Sequence, residues 1–219
     1  MNEERIEAFI EKYFRNNQIL SIGTGSQGIQ FLKQLALKKE LEKFNFSVVP
    51  TSNQQIIFLH QLKIPIVSLN EKEVDLAVEF VSQADKEFNF IKRNSTSLVR
   101  DKMIALSAAE MTAIVDENDF VEKVHGVIPF EIAKYGWKRT LTGLEKLGKI
   151  NPKQYNQLPP ESETGQYVVE VQVDPEYHLD EIEFQAKNIP GVLETGLFIG
   201  MADRIVINNA SQITVKSRL

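Results

Sequence analysis

The sequence has no cysteine among its 219 residues. This absence excludes thiol nucleophiles, cysteine-ligated metals and disulfides, and it fits a reducing compartment. Histidine is also scarce: His60, His125 and His178 stand far apart, without the spacing that metal ligands usually show. We therefore predict a protein without a metal site.

Long apolar runs and basic clusters are missing as well. No apolar segment approaches the length of a membrane span, so no contact with a membrane is expected. The chain has 25 Lys and Arg against 30 Asp and Glu, a net charge of −5. Binding of nucleic acid is not expected, because it depends on clustered Lys and Arg. The first residues, MNEERIEAFIEKYF, are acidic and amphipathic, unlike a secretory signal. We predict a cytoplasmic protein.

What the sequence does contain, up to about residue 126, is an alternation of apolar strands and amphipathic helices. The spacing predicts helices over 3–14, from Gly28 to about 41, over 53–62 and over 97–110. Strands are predicted over 19–22, 46–49, 66–67, 74–78 and 112–115. This alternation is typical of an α/β fold, with a Rossmann-like, mostly parallel sheet and helices on both faces.

After residue 126 the pattern changes. Helices are predicted over 137–147 and 179–186, and strands over 167–173 and 192–199. A strand–helix–strand–strand–helix–strand order of this size indicates a smaller α+β, ferredoxin-like insert. Two final strands, 205–207 and 213–215, follow it. We therefore expect one domain of residues 1–127 and 200–219, and a second of residues 128–199.

A glycine turn joins the first strand to the second helix, with Gly23, Gly25 and Gly28 in the spacing of the dinucleotide fingerprint. The second strand ends Val49-Pro50-Thr51-Ser52, without the acidic residue that would bind a ribose, so nicotinamide binding is disfavoured. Backbone N–H groups at the helix start still favour an anion. Nearby hydroxyls suit a phosphate ester: Thr24, Ser26, Thr51 and Ser52. The alternative is a turn that serves only the geometry of the sheet.

The richest stretch in charge is residues 75–102, DLAVEFVSQADKEFNFIKRNSTSLVRDK. It begins as an apolar strand, continues as a polar loop and ends in the start of a helix. Three charged groups could meet at one edge of the sheet: a carboxylate at the strand end, a lysine after it and a carboxylate at the helix start. We expect the reaction centre here.

With these two segments in view, nearly the whole chain resembles ribose-5-phosphate isomerase of the A type. Gly23-Thr24-Gly25-Ser26 matches the start of that family's Gly-Thr-Gly-Ser-Thr turn. Residues 75–83, DLAVEFVSQ, stand where the family has Asp-Leu-Ala-Ile-Asp-Gly-Ala-Asp-Glu. Residues 91–95 and 100–102 stand in place of Ile-Lys-Gly-Gly-Gly and Arg-Glu-Lys. Residues 189–192, IPGV, and 195–198, TGLF, match almost unbroken.

The resemblance implies a role for each matched position. Asp101, in place of the family's glutamate, would move a proton between C1 and C2 of the sugar. Lys92 would stabilise the charge that develops. The implied substrate-binding residues are Thr24, Gly25, Ser26, Gln27, Glu79, Ser82, Arg93 and Asp119. Several of these differ from the family pattern: Gln27 replaces threonine, Glu79 and Ser82 replace aspartates, and Asp119 replaces a lysine. Phe80 and residues 93–95 replace glycines.

The resemblance therefore implies interconversion of ribose 5-phosphate and ribulose 5-phosphate through an enediolate. No cofactor is implied, the partner is a small sugar phosphate, and a homodimer or homotetramer is expected. Two alternatives remain: a phosphosugar-binding homologue with a sensing or regulatory role and no catalysis, and a related sugar-phosphate enzyme with another substrate.

Overall fold

The computed structural model describes residues 1–151, 153–209 and 212–218. The helices are α1 Glu3–Tyr13, α2 Ser26–Glu42, α3 Asn53–Gln61, α4 Leu98–Ser107, α5 Trp137–Leu144, α6 Lys153–Asn156 and α7 Leu179–Lys187, with a 3₁₀ helix at Glu117–Asp119. The strands are β1 Gln18–Ile22, β2 Phe46–Val48, β3 Val74–Phe80, β4 Gln83–Asp85, β5 Phe90–Ile91, β6 Ala108–Asp116, β7 Phe120–Val121, β8 Val127–Ile132, β9 Gly148–Ile150, β10 Tyr167–Val173, β11 Val192–Thr195, β12 Leu197–Phe198, β13 Arg204–Asn208 and β14 Ile213–Ser217.

The central sheet has six strands in the order β14-β13-β6-β3-β1-β2. All neighbours are parallel except β13 and β14, which form an antiparallel edge. Its inner strands are apolar because both faces are covered. The predicted α/β architecture is confirmed.

The two faces of this sheet carry separate cores. Helix α1 buries Ile6, Phe9 and Ile10, spaced three and four residues apart, in a core shared with α2 and α3. Leu76 and Val78 of β3 face the same core. Ala77, between them, faces the opposite core, to which α4 contributes. The residues of β3 thus alternate between the two faces, as a strand buried on both sides requires.

A second sheet is antiparallel and has the order β11-β8-β10-β9. With α5 and α7 it follows the predicted strand–helix–strand–strand–helix–strand order, and its residues enclose a third core. We propose that this unit is the domain expected over residues 128–199.

A third sheet, of order β12-β5-β4-β7, was missed in the sequence because its strands have only two or three residues. It contributes to two cores. Ile91 and Leu197, which pair with each other, lie in the core of the antiparallel unit. Phe90 and Phe198 pair next to them and stack at 4.5 Å in the core beneath α4. This small sheet joins the two larger units.

Several element boundaries were wrong. The helix predicted over 137–147 ends at Leu144, and the strand predicted over 112–115 spans Ala108–Asp116. The strand predicted over 66–67 is a single bridge from Ile66 to Val48. The helix predicted to residue 110 ends at Ser107, because Ala108 pairs with Val74 and begins β6. The strand predicted over 192–199 is interrupted at Gly196, since its two parts pair with different strands, β8 and β5.

Candidate active site

Three charged side chains from separate elements meet at the carboxyl end of β3. Glu79 comes from β3, Lys92 follows β5, and Asp101 lies in the first turn of α4. The Lys92 Nζ lies 2.5 Å from Glu79 Oε2 and 2.7 Å from Asp101 Oδ2. The exposed fractions of the three residues are only 2%, 1% and 1%. The carboxylate–lysine–carboxylate arrangement predicted from the sequence is present; we call it the Lys92 trio.

Local backbone features hold the trio in place. The Lys92 N–H donates to Gly196 O at 2.9 Å, which fixes the end of β5 against β12. Helix α4 begins at the N-cap Ser97, whose Oγ accepts from Arg100 N. A Cβ at Gly23 would collide with the Glu79 carboxylate, so the glycine turn lies directly beside the trio.

Burial and mutual charge set the protonation of the trio. Burial raises the pKa of Glu79 to about 7, against the opposing effect of Lys92 and with a contribution from Asp101. Burial alone would lower the pKa of Lys92, but the charges of Asp101 and Glu79 and the hydrogen bonds to both outweigh it and raise that pKa. Lys92 is therefore a fixed positive charge at neutral pH.

The two oxygens of the Asp101 carboxylate have different environments. Oδ2 accepts from the Ser95 hydroxyl at 2.5 Å and contacts Lys92. Oδ1 is buried and has no hydrogen-bond partner among the described residues. Such orphaned buried oxygens are rare and require an explanation. An oxygen with free lone pairs beside a fixed ammonium suits a group that accepts a proton from a substrate.

The glycine turn starts α2 without a side-chain cap. Gly25 is the N-cap residue at φ 96°, a conformation that favours glycine. The backbone N–H groups of the first turn therefore point outward, next to Thr24 and the exposed Ser26. A cavity of about 60 Å³ adjoins Thr24 and Ser52. The turn keeps the features that suit a phosphate group.

Residues 93–96 lie against the trio and the glycine turn, so we call them the covering loop. The Thr24 hydroxyl donates to Asn94 O at 3.3 Å, and the Thr96 hydroxyl donates to Thr51 O at 3.1 Å. With Ser95 bonded to Asp101, this loop separates the trio from solvent.

Four other predicted site residues form no hydrogen bond or ion pair with the trio in the described part of the chain. Ser82 Oγ accepts from Arg93 N at 3.1 Å, and the Arg93 guanidinium forms an exposed ion pair with Glu170. Gln27 Oε1 accepts from the amino group of Met1. Asp119 is exposed in the 3₁₀ helix, and no hydrogen bond or ion pair of the described residues joins it to the trio.

Comparison with known proteins identifies the family. The model of the family Ribose 5-phosphate isomerase A (phosphoriboisomerase A) matches residues 47–212. The chain belongs to the ribose-5-phosphate isomerase A family. It is 28% identical over 200 residues to ribose-5-phosphate isomerase A 1 of Oceanobacillus iheyensis, covering 90% of this chain and 89% of that protein. It is 30% identical over 203 residues to the isomerase A of Prochlorococcus marinus subsp. pastoris, covering 88% and 87%.

A solved structure supports the same fold. The ribose 5-phosphate isomerase of Plasmodium falciparum superposes with a TM-score of 0.88 at 22% identity, covering 99% of this chain and 97% of that one. No helix in the described part of the chain is long and apolar enough to cross a bilayer.

One departure from the isomerase A pattern has a structural explanation. Phe80, where the pattern has glycine, points to the face opposite Glu79. Its ring packs edge-on against Phe31 at 5.5 Å, beneath the glycine turn. Phe80 therefore packs against the core shared by α1 and α2.

Two residues of the site were missed in the sequence. Ser95 was considered only as a replacement for glycine, whereas its hydroxyl holds Asp101. Glu131 was not considered, because β8 was not recognised; its carboxylate accepts from Val99 N at the start of α4. The available signal was a single acidic residue inside an otherwise apolar run, VIPFEI.

Proposed function

We propose that this protein interconverts ribose 5-phosphate and ribulose 5-phosphate, with Asp101 as the base and Lys92 as the stabilising cation. The observation that carries the proposal is the Asp101 carboxylate. Its Oδ1 is buried and has no hydrogen-bond partner among the described residues, while its Oδ2 lies 2.7 Å from the Lys92 Nζ. Membership of the isomerase A family and the names of the two relatives support the same reaction.

The proposed reaction uses only groups of the trio and the substrate. Asp101 Oδ1 removes the proton from C2 of the open-chain aldose, and the electron pair forms a C1–C2 double bond. Negative charge develops on O1, where Lys92 stabilises it. Return of the proton to C1 and transfer of the O2 proton to O1 give the ketose. In a site this dry, a positioned ammonium is expected to act strongly on the enediolate.

The phosphate is proposed to bind at the glycine turn. The uncapped N–H groups at the start of α2 and the hydroxyls of Thr24 and Ser26 supply the donors. Gly23 joins this turn to the trio, so a single sugar phosphate would contact both. The remaining predicted binding residues, Gly25, Gln27, Glu79, Ser82, Arg93 and Asp119, stay part of the proposal.

Entry of the substrate requires movement, since the trio is closed off by the covering loop. We propose that Arg93 and Asn94 shift outward, releasing the bond between Thr24 and Asn94 and the Arg93–Glu170 pair, while Ser95 stays bonded to Asp101. The exposed Arg93–Glu170 pair is weak enough for this, because such pairs typically contribute about 0–1 kcal/mol.

The test is the rate of isomerisation of ribose 5-phosphate by the wild type and by Asp101→Asn, which keeps the shape and removes the base. We expect turnover in the wild type and a loss of about 10²–10⁴-fold in kcat in the variant. In both, ribose 5-phosphate should raise the melting temperature. Asp75→Asn, at the far end of β3, is the matched control and should keep its activity.

An inactive wild type that ribose 5-phosphate nevertheless stabilises would overturn the isomerase proposal in favour of a non-catalytic phosphosugar-binding protein. An active Asp101→Asn variant would remove Asp101 from the role of base.

We also propose a homodimer or homotetramer and a cytoplasmic location. Large apolar side chains that stay exposed are candidates for contacts between subunits: Leu41, Leu106, Tyr135 and Phe184. Sedimentation equilibrium of the purified chain measures its assembly, and a monomer at micromolar concentration would contradict this part of the proposal.

A further inference from the structure

Glu131 is a fully buried carboxylate outside the trio. It lies on the central strand β8 of the antiparallel sheet, where Phe130 and Ile132 on either side face that sheet's core. Its exposed fraction is zero, and no ion pair among the described residues includes it. Burying a carboxylate without a cation is costly unless hydrogen bonds replace its hydration.

Four donors from two other segments replace that hydration. Oε2 accepts from Val99 N at 2.9 Å and from the Ser97 hydroxyl at 3.2 Å. Oε1 accepts from the hydroxyls of Ser162 and Thr164, both at 2.5 Å. The three hydroxyls and one backbone amide suit an ionised carboxylate, which can only accept hydrogen bonds.

The first two donors belong to the start of α4. Ser97 is its N-cap and Val99 its second residue. Glu131, which lies in the antiparallel sheet, therefore caps the N-terminus of α4. A carboxylate at a helix N-terminus is favoured by the helix dipole. Asp101 lies in the same turn, and its N–H donates to Ser97 O at 3.0 Å. The position of Asp101 therefore depends on a turn that Glu131 holds.

A neighbouring residue reinforces the same joint. Glu163, between Ser162 and Thr164, accepts from Arg100 Nη1 at 2.8 Å and from Asn53 N at 2.7 Å. The segment 162–164 thus fastens the antiparallel unit to the starts of both α4 and α3.

We propose that Glu131 is a positioning residue for the isomerisation: it fixes the first turn of α4 so that Asp101 stands correctly against Lys92 and the substrate. This inference rests on the proposed function. Glu131 acts through Val99 and Ser97 and does not touch the substrate.

The test compares Glu131→Met, Glu131→Gln and the wild type. Methionine removes both acceptor oxygens, so Val99 N–H loses its partner. Glutamine can turn its oxygen toward Val99 and its NH₂ toward the hydroxyls of Ser162 and Thr164, which can accept. We expect Glu131→Met to lower kcat about 100-fold, the size of effect that a shift of about 1 Å produces, with KM changed less than about 3-fold. Glu131→Gln should stay within about 10-fold of the wild type.

Two further measurements separate positioning from general destabilisation. Hydrogen exchange should accelerate at residues 98–101 in Glu131→Met and remain near wild type in Glu131→Gln. Ile132→Ala, a buried change in the same strand, serves as the control and should leave kcat unchanged at temperatures where it is folded. If Glu131→Met does not fold, the double variant Ser162→Ala/Thr164→Val replaces it. This variant is expected to lose kcat as well, but less than Glu131→Met.

Equal activity in Glu131→Met and wild type, or an equal loss in Ile132→Ala, would overturn the inference. If the wild type does not isomerise ribose 5-phosphate, the proposed function fails by itself. Hydrogen exchange then decides whether Glu131 holds the first turn of α4: faster exchange confined to residues 98–101 supports the role, and unchanged exchange refutes it.

Discussion

The two acidic side chains that contact Lys92 differ in length from the isomerase A pattern, and the two differences are opposite. That pattern has aspartate where this chain has Glu79 and glutamate where it has Asp101, so the number of methylenes in the trio is the same. We predict that the two positions are coupled. Asp101→Glu and Glu79→Asp should each be harmful alone, whereas the double variant should be tolerated.

The geometry gives the expected size. The trio is at most 2% exposed, and Nζ–oxygen distances of 2.5 and 2.7 Å leave no slack for a further methylene of about 1.5 Å. Overpacking of this kind costs about 1–3 kcal/mol, which we expect for Asp101→Glu. Glu79→Asp withdraws one partner from a buried ammonium, and breaking such a pair costs up to about 3–5 kcal/mol. The double variant restores contact on both sides, with a coupling energy of about 0.5–3 kcal/mol.

The assay is a double-mutant cycle in the free energy of unfolding, measured with urea, together with kcat for ribose 5-phosphate. We expect the double variant to lose about 0.5–3 kcal/mol less than the sum of the two single losses, and to be more active than either single variant. Asp101→Glu alone should not raise kcat. Additive losses in the double variant would refute the reasoning, because they would mean that the two side chains do not share one closed space.

Three further predictions concern neighbouring features. Because burial raises the pKa of Glu79 to about 7 from 4.5, the native state holds an extra proton in this window, and the free energy of unfolding should fall as pH rises from 4.5 to 7; urea titrations of Glu79→Gln should lack this fall. Glu170→Gln removes the ion pair of Arg93 and frees the covering loop, so kcat/KM should rise, with stability changed by less than about 1 kcal/mol; a lower kcat/KM would argue against loop opening. Gly196→Ala places a Cβ 2.7 Å from Lys92 O, so it should destabilise by about 1–3 kcal/mol in thermal unfolding, and an unchanged melting temperature would contradict this close packing.

The meeting of the trio could be predicted from the sequence because carboxyl ends of parallel strands and helix starts share one edge of an α/β sheet. The start of α4 was also predictable within a residue, from Ser97 ahead of an apolar-periodic run. Its end was not. Residues 107–110, SAAE, suit a helix, but pairing of Ala108 with Val74 draws them into β6.

The placement of Phe80 and the role of Glu131 depend on contacts between distant parts of the chain. The direction of Phe80 follows from the period of two that it shares with Leu76 and Val78, so a stricter use of strand alternation would have placed it against the core that these two residues face. The acidic residue in the apolar run VIPFEI marked Glu131, but strand alternation could not predict its role. Its donors in residues 162–164 are more than thirty residues away, and Pro129 obscures the strand that carries it.

The two-residue pairing of β5 with β12 has a consequence for how the molecule melts. Ile91 and Leu197 belong to one core, while Phe90 and Phe198 belong to another, so neither core can open without disturbing the other. Lys92 is the next residue after this pairing. Melting of the antiparallel unit would release the ammonium from its carboxylates at the same moment, and activity would therefore require that both of these cores are folded.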